Sequence, residues 1–506
     1  MKMVYLFFPK QENNSSLTST LSSGECLGLG YLASMLRMNG YAVKIVNAEC
    51  ELVKNKDLID LIIQDKPFLL GISPVATTMA DTLSICKKVK DMLPNIHITL
   101  GGHHATATAY ELLHNEECVD SVIMGEGEYS IIELTDMLTG KTSTISRNIS
   151  MRINGVVQIG EKCIINDIDI IPYATRDTLE KIIIKRNRRE ARLVTSRGCI
   201  SNCSFCTSPS FYNRTWRGHS PTRVVEEIET LVRIYGISHI WINDDAYIIK
   251  TKKSQQRAYD IAKGIIEKKL MITYRALLRA DSLDGALYIL PTLKESGLNT
   301  VFIGFESASD HALNIYNKGL NQVKNLEIVS ILREHGIKIQ VGFIMFNPYS
   351  CVEDLKQNAF FLKEIGELFR MFPLTRALDL FPGTSMAKKL AEEGLLLKHY
   401  SYKSNLISDY EFNNKYVKFI YHTINKQYDE ISQKYDAEIN NIFYRYEHKD
   451  HDRFRSKLNE IHYSYFLNLL DSVHSKDLTL RINSERLQKV SAILEMLRNV
   501  QYVKRS

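Results

Sequence analysis

Through the first 140 residues, short apolar runs alternate with stretches whose apolar positions recur at helical spacing. Runs at 4–8, 42–46, 68–73, 96–101 and 121–124 read as strands. Stretches at 27–39, 78–92, 105–114 and 129–139 read as helices between or after them. Strands apolar on both faces and separated by helices predict a doubly wound α/β domain, its parallel sheet covered on both sides. Such sheets take ligands beyond the carboxyl ends of their strands. Three glycine-bearing loops fall at those ends: Gly71-Ile-Ser73, Gly101-Gly102-His103-His104 and Gly125-Glu126-Gly127-Glu128. Each alone is a strand-to-helix turn; together at one edge they mark a candidate binding surface.

Periodicity weakens over 141–190, which reads as a linker with short strands, one near 156–159. It closes in a basic run, Lys185-Arg-Asn-Arg-Arg189, without interleaved aromatics, which reads as solvated linker. A second series then begins, with strands expected at 192–196, 239–243, 272–278, 300–305, 338–344 and 377–381. Six successive βα units predict a partial (β/α)6 barrel over 191–390, with function at the carboxyl ends of its strands. Residues 391–506 turn charged and tyrosine-rich and read as a helical C-terminal domain. Its aromatic pairs Tyr444/Tyr446 and Tyr463/Tyr465 sit at spacings that suit packing.

Composition narrows the class without naming it. A chain of 506 residues exceeds the usual single-domain size, and 44% hydrophobic with 24% charged residues suits a globular protein. A net charge of +6 with no focused basic groove does not point to nucleic acid. No apolar run reaches the 18 residues of a membrane span, so a cytoplasmic protein without membrane partners is expected. Nine cysteines, an odd number with one tight group, exclude a secreted disulfide framework.

That tight group carries the chemistry. Arg197-Gly-Cys199-Ile-Ser-Asn-Cys203-Ser-Phe205-Cys206 follows the first strand of the second series. Three thiolates on one short loop can ligate three irons of a cubane cluster, leaving the fourth iron open. A structural zinc site wants a fourth ligand, and none lies nearby. A dithiol redox pair at Cys203 and Cys206 leaves Cys199 without a role.

This C-x3-C-x2-C loop, with an aromatic before its last cysteine, resembles the signature of the radical S-adenosylmethionine (SAM) superfamily. The resemblance implies a [4Fe–4S] cluster on Cys199, Cys203 and Cys206, with Phe205 at the aromatic position. It also implies SAM chelated at the open iron and cleaved by one electron to a 5′-deoxyadenosyl radical. Trp241-Ile-Asn-Asp244-Asp245 resembles the acidic motif that receives the SAM ammonium. Phe302-Ile-Gly-Phe-Glu306-Ser307 resembles the segment that meets the ribose or methionyl group. Gly342-Phe-Ile-Met-Phe346 and Pro382-Gly-Thr384 resemble the strand ends that line the adenine. The turn after the fifth strand departs from the family's Gly-x-Pro-Gly and reads Phe346-Asn-Pro-Tyr349.

Residues 1–140 resemble the cobalamin-binding type of domain that precedes the barrel in one radical SAM class. The matching text is Gly28-Leu-Gly-Tyr-Leu-Ala33 together with the three glycine loops, so Gly71, Ser73, Gly101, Gly102, His103, Gly125 and Glu126 are expected to line a corrinoid. No Asp-x-His-x-x-Gly cobalt-ligand motif is present. The resemblance implies methylation of an unactivated carbon in a small molecule or peptide, with flavodoxin or ferredoxin as electron donor. Dehydration, rearrangement or carbon–carbon coupling stands as the alternative, and a non-catalytic iron–sulfur redox protein as another. Methylthiolation of tRNA would ask more of Cys26, Cys50 and Cys86 than their flanking residues support. No residue stands out as a general acid or base.

Overall fold

The apolar runs of the N-terminal region become β1 (Met3–Phe8), β2 (Ala42–Asn47), β3 (Leu69–Ile72), β4 (His97–Leu100) and β5 (Ser121–Ile123), all parallel. The computed structural model describes residues 2–10, 24–51, 53–144, 146–397, 401–403, 410–447, 451–472, 476–498 and 503–504. Strand order β2-β1-β3-β4-β5 places a topological switch between β1 and β3, where open α/β sheets bind ligands. Helices Leu27–Met38 and Glu128–Leu138 pack on one face, and Met79–Met92 lies over the other. Helix Asn55–Asp65, not anticipated, packs with Met79–Met92.

Part of the expected linker belongs to this sheet. β6 (Ile149–Ile153) and β7 (Val156–Gln158) add to its edge as an antiparallel hairpin beside β5. Asn154 and Gly155 form the two-residue turn, both at positive φ, the backbone that favours Asn-Gly in tight hairpins.

The second series builds β8 (Glu190–Leu193), a short ribbon of β9 (Ser196–Gly198) against β10 (Trp216–Gly218), then β11 (His239–Ile242), β12 (Thr273–Leu278), β13 (Leu298–Glu306) and β14 (Lys338–Phe343). Its parallel sheet runs β8-β11-β12-β13-β14. The expected sixth strand is reduced to one parallel bridge, Phe346 to Ala377. Helices Pro221–Tyr235, Lys252–Glu267, Gln322–Glu334 and Val352–Glu364 cover the outer face around one large apolar core.

The C-terminal region is helical, as expected, but its first helix, Lys415–Gln427, joins the barrel core through Val417, Ile420 and Ile424. Helix His451–Asp471 adds Tyr465 and Phe466 to the same core, and Tyr463 packs at its edge. Buried Asp436 accepts from the backbone N–H groups of Met371 and Phe372 at 2.9 and 2.7 Å. The side chains of Cys50, Tyr444 and Tyr446 lie outside the described residues. Among the described residues no helix is long and apolar enough to cross a membrane.

Candidate functional site

The cysteine loop leaves the ribbon at Gly198, whose φ of +84° is left-handed and whose Cβ would fall 2.2 Å from the Thr215 carbonyl oxygen. Only glycine fits both demands. Ser204 then ties the loop to the barrel. Its N–H donates to Tyr316 O at 2.9 Å, its hydroxyl to Ile315 O at 2.8 Å, and its carbonyl accepts from Met386 N at 2.8 Å. Phe205 meets the Tyr316 ring edge-on at 5.4 Å. Cys199 and Cys203 are buried, Cys206 is half-buried, and all three are free thiols. Burial pushes the Cys206 thiol up to about 11. At the end of β12, Arg279 donates to Cys203 Sγ at 3.5 Å, held by Asp281 at 2.9 Å and the Lys318 carbonyl at 2.9 Å.

Among the described residues no three His, Cys, Asp or Glu side chains converge on a single ion. Three thiols on one loop match a cluster in which each thiolate takes a different iron, whereas a structural zinc wants a fourth ligand. The donor set therefore fits an iron–sulfur cluster.

The three glycine loops meet this region across the domain boundary. His103 stacks on Phe211 at 3.9 Å and 8°, and its Nδ1 lies 3.3 Å from Thr207 Oγ1, one residue past Cys206. Burial lowers its pKa, and that of His104, whose Nε2 contacts Tyr402 O at 2.8 Å. Glu126 receives Arg197 at 2.9 Å, Arg217 at 2.6 Å and the Ile165 N–H at 2.6 Å, while Glu128 takes the other end of Arg197 at 2.7 Å. The ion network thus clamps the residue two positions before Cys199. Sequence reasoning missed Arg197, Arg217 and Arg279.

Between these loops lies a cavity of about 280 Å³. Gly28, Gly71, Ser73, Gly101, Gly102 and Gly125 line it from the sheet edge. Arg197, Tyr212 and Asp245 line it from the cysteine side. A Cβ on Gly28 or Gly101 would meet nothing within 4 Å, so a larger residue there would fill the cavity. Gly125, at φ +77°, is instead pressed against the Cys163 backbone, where a Cβ would lie 2.5 Å from the carbonyl oxygen. The cavity's glycine-lined wall lets a bulky ligand lie against backbone. His103 and Glu126 also line the cavity, the His103 ring stacked on Phe211 with its Nδ1 beside Thr207.

The paired aspartates divide. Asp245 is half-buried on the cavity, accepting from Gly198 N at 3.2 Å and from the Ser208 hydroxyl. Asp244 is turned inward and accepts from Thr195 N, Thr195 Oγ1 and Ser196 Oγ at 2.6–2.7 Å, with burial raising its pKa. Glu306, at φ +66° on a bulge of β13, pairs with buried Lys318 at 3.3 Å. Ser307 is fully buried and donates to Asn358 Oδ1 at 2.8 Å. Gly342 sits beside Gly304 in register, where a Cβ would strike the Phe302 ring at 2.8 Å.

Comparison with known proteins agrees with this geometry. Residues 17–135 match the B12 binding domain and residues 193–362 the Radical SAM superfamily. An uncharacterized methyltransferase of Pyrococcus horikoshii is 30% identical over 400 residues, 78% of this chain and 84% of that protein. The anaerobic magnesium-protoporphyrin IX monomethyl ester cyclase of Rubrivivax gelatinosus is 27% identical over 345 residues, 65% of this chain and 60% of that one. The structure of the cobalamin-dependent S-adenosylmethionine radical enzyme OxsB with aqua-cobalamin bound superposes with a TM-score of 0.80 at 18% identity, covering 98% of this chain and 80% of that chain. The fold is shared along nearly the whole length.

Proposed function

The chain belongs to the radical SAM enzymes that carry a B12-binding domain, and on that premise we propose that it methylates an unactivated carbon of a small molecule or peptide. The observation that carries the proposal is the cavity at the glycine-rich sheet edge, walled on its far side by residues that hold the cysteine loop. When bound, the cluster with SAM supplies a 5′-deoxyadenosyl radical and the corrinoid a transferable methyl group. The chain's own part is position and exclusion. Cys199, Cys203 and Cys206 would hold three irons, and Arg279 sets a positive charge against one of the thiolates. Asp245 offers a carboxylate to an ammonium group at the cavity wall. Glu306 and Lys318 present a buried ion pair at the end of β13. The name of the Pyrococcus horikoshii relative supports methyl transfer; that of the cyclase keeps carbon–carbon bond formation as the second reading. A flavodoxin or ferredoxin is the electron donor in this reading.

The test is a product assay on anaerobically reconstituted protein, reduced and given SAM with or without hydroxocobalamin. 5′-Deoxyadenosine together with cobalamin-dependent S-adenosylhomocysteine is expected. Deoxyadenosine alone overturns methylation in favour of the second reading.

A further inference from the structure

On the strands of the barrel, alternate residues face the covering helices or the concave interior. Ala191, Leu193, Ile240, Ile242, Tyr274, Ala276, Val301 and Ile303 all belong to the helix-facing core. Their neighbours Arg192, Trp241, Arg275, Phe302 and Gln340 therefore face inward. Register places Arg192, Trp241 and Arg275 side by side, with Phe302 beside Gln340 one layer up.

Arg275 is the anomaly in this row. It is 8% exposed, yet no carboxylate pairs with it among the described residues. Its guanidinium lies 5.0 Å from the Trp241 ring centre and 5.1 Å from that of Phe302. Nε donates to Gln340 Oε1 at 2.6 Å, which fixes one edge, and among the described residues neither terminal nitrogen has a protein acceptor. Burial, and then the nearby charge of Arg192, pull its pKa down to about 10. A buried guanidinium without a carboxylate partner among the described residues is an unfavourable arrangement that an anionic ligand relieves. Aromatic rings hold a guanidinium in one plane, and its free edge then suits two-point contact with an oxyanion. Trp241, Phe302 and Gln340 beside it are only half-buried. Arg279, which touches Cys203, lies four residues further along β12, or about 13 Å at strand rise.

We infer that Arg275 is a substrate-binding residue at the floor of the barrel, taking a carboxylate or phosphate group of the substrate, so that the substrate is an anion anchored below the cysteine loop. The assignment rests on the proposed reading of the barrel as the reaction chamber. Its test requires neither SAM nor corrinoid, so it fails separately from that reading.

The chain contains two tryptophans, and Trp241 is the one beside Arg275. In full-length Trp216→Phe protein, Trp241 emission is titrated with inorganic phosphate and, separately, with sodium acetate, at ionic strength held constant with chloride. A saturable change is expected with at least one of them, phosphate alone pointing to a phosphate ester and acetate alone to a carboxylate. Adding Arg275→Gln should weaken it by about tenfold or more, and Arg275→Lys should weaken it less. No saturable change with either anion, or equal affinity in the Arg275→Gln protein, overturns the inference. Should Arg275→Gln fail to fold, undiminished affinity in Arg275→Lys overturns it equally, because lysine lacks the two-point edge.

Discussion

Replacing Glu126 by Gln removes one negative charge from a buried network of two guanidiniums and two carboxylates. Glu126 is 4% exposed and Arg197 7%. The wild-type network is neutral; the variant leaves one positive charge uncompensated in the domain boundary. Breaking a buried pair from one side costs about 3–5 kcal/mol. Arg197 keeps Glu128 at 2.7 Å, and Arg217 keeps the Ile165 carbonyl and the Tyr212 ring, so the lower end, about 3 kcal/mol, applies here. For domains of this size that corresponds to a fall in melting temperature of roughly 6–12 °C. The assay is thermal unfolding by circular dichroism, with iron content after reconstitution measured in parallel. Because Arg197 stands two residues before Cys199, iron retention should fall as well. A melting temperature within about 2 °C of wild type would refute the reasoning, since it would mean the network is hydrated or carries little energy.

Cys199→Ala should lose cluster absorbance and all SAM cleavage while the corrinoid still binds; retained cleavage would remove Cys199 from the ligand set. Arg279→Met should lower the cluster's reduction potential, because a cation beside Cys203 favours the more negative, reduced state. A potentiometric titration followed by electron paramagnetic resonance checks this, and an unchanged or higher potential contradicts it. Acidification from pH 7 to 5.5 should lower the melting temperature. Burial lowers the pKa of His219 to about 4 and of His462 to about 3, so both stay neutral in the fold while the unfolded chain takes up protons below its ordinary value of 6.5. Asp436, raised to about 6 by burial, works the other way by taking up one proton in the fold, against three in the unfolded chain once His97, also lowered to about 4, is counted. A melting temperature that holds or rises would contradict the sign.

What could be read from the sequence follows from which features are local. The three-cysteine spacing and the glycine loops are each local in the chain, and the structure gathers the glycine loops at one cavity whose far wall includes Arg197 and Asp245, beside the cysteine loop. Of the hairpin of β6 and β7 the sequence analysis finds only a short strand near 156–159, because the pairing with β5 is a tertiary fact and the segment reads as linker without it. The division of Asp244 from Asp245 follows from adjacent residues pointing to opposite sides of an extended chain, which the motif alone does not resolve. Glu126 and Arg197 are 71 positions apart, and no periodicity links them. Arg275 did leave a trace: an arginine inside the apolar run Thr273–Leu278, where a strand buried on both faces should carry none. The missing sixth strand reflects Ala377–Leu378 meeting Phe346 by a single bridge while Tyr410 takes the Leu378 carbonyl.

The central claim is that the glycine-rich edge and the cysteine loop serve two halves of one reaction. Gly101→Leu tests it most directly, since that side chain would enter the cavity and meet no protein atom at its Cβ. Reconstituted wild type and variant are reduced and given SAM and hydroxocobalamin, and both products are quantified by mass spectrometry. The account predicts 5′-deoxyadenosine and S-adenosylhomocysteine from wild type, and 5′-deoxyadenosine alone from a Gly101→Leu protein that retains its cluster. Undiminished S-adenosylhomocysteine from that variant would contradict the claim.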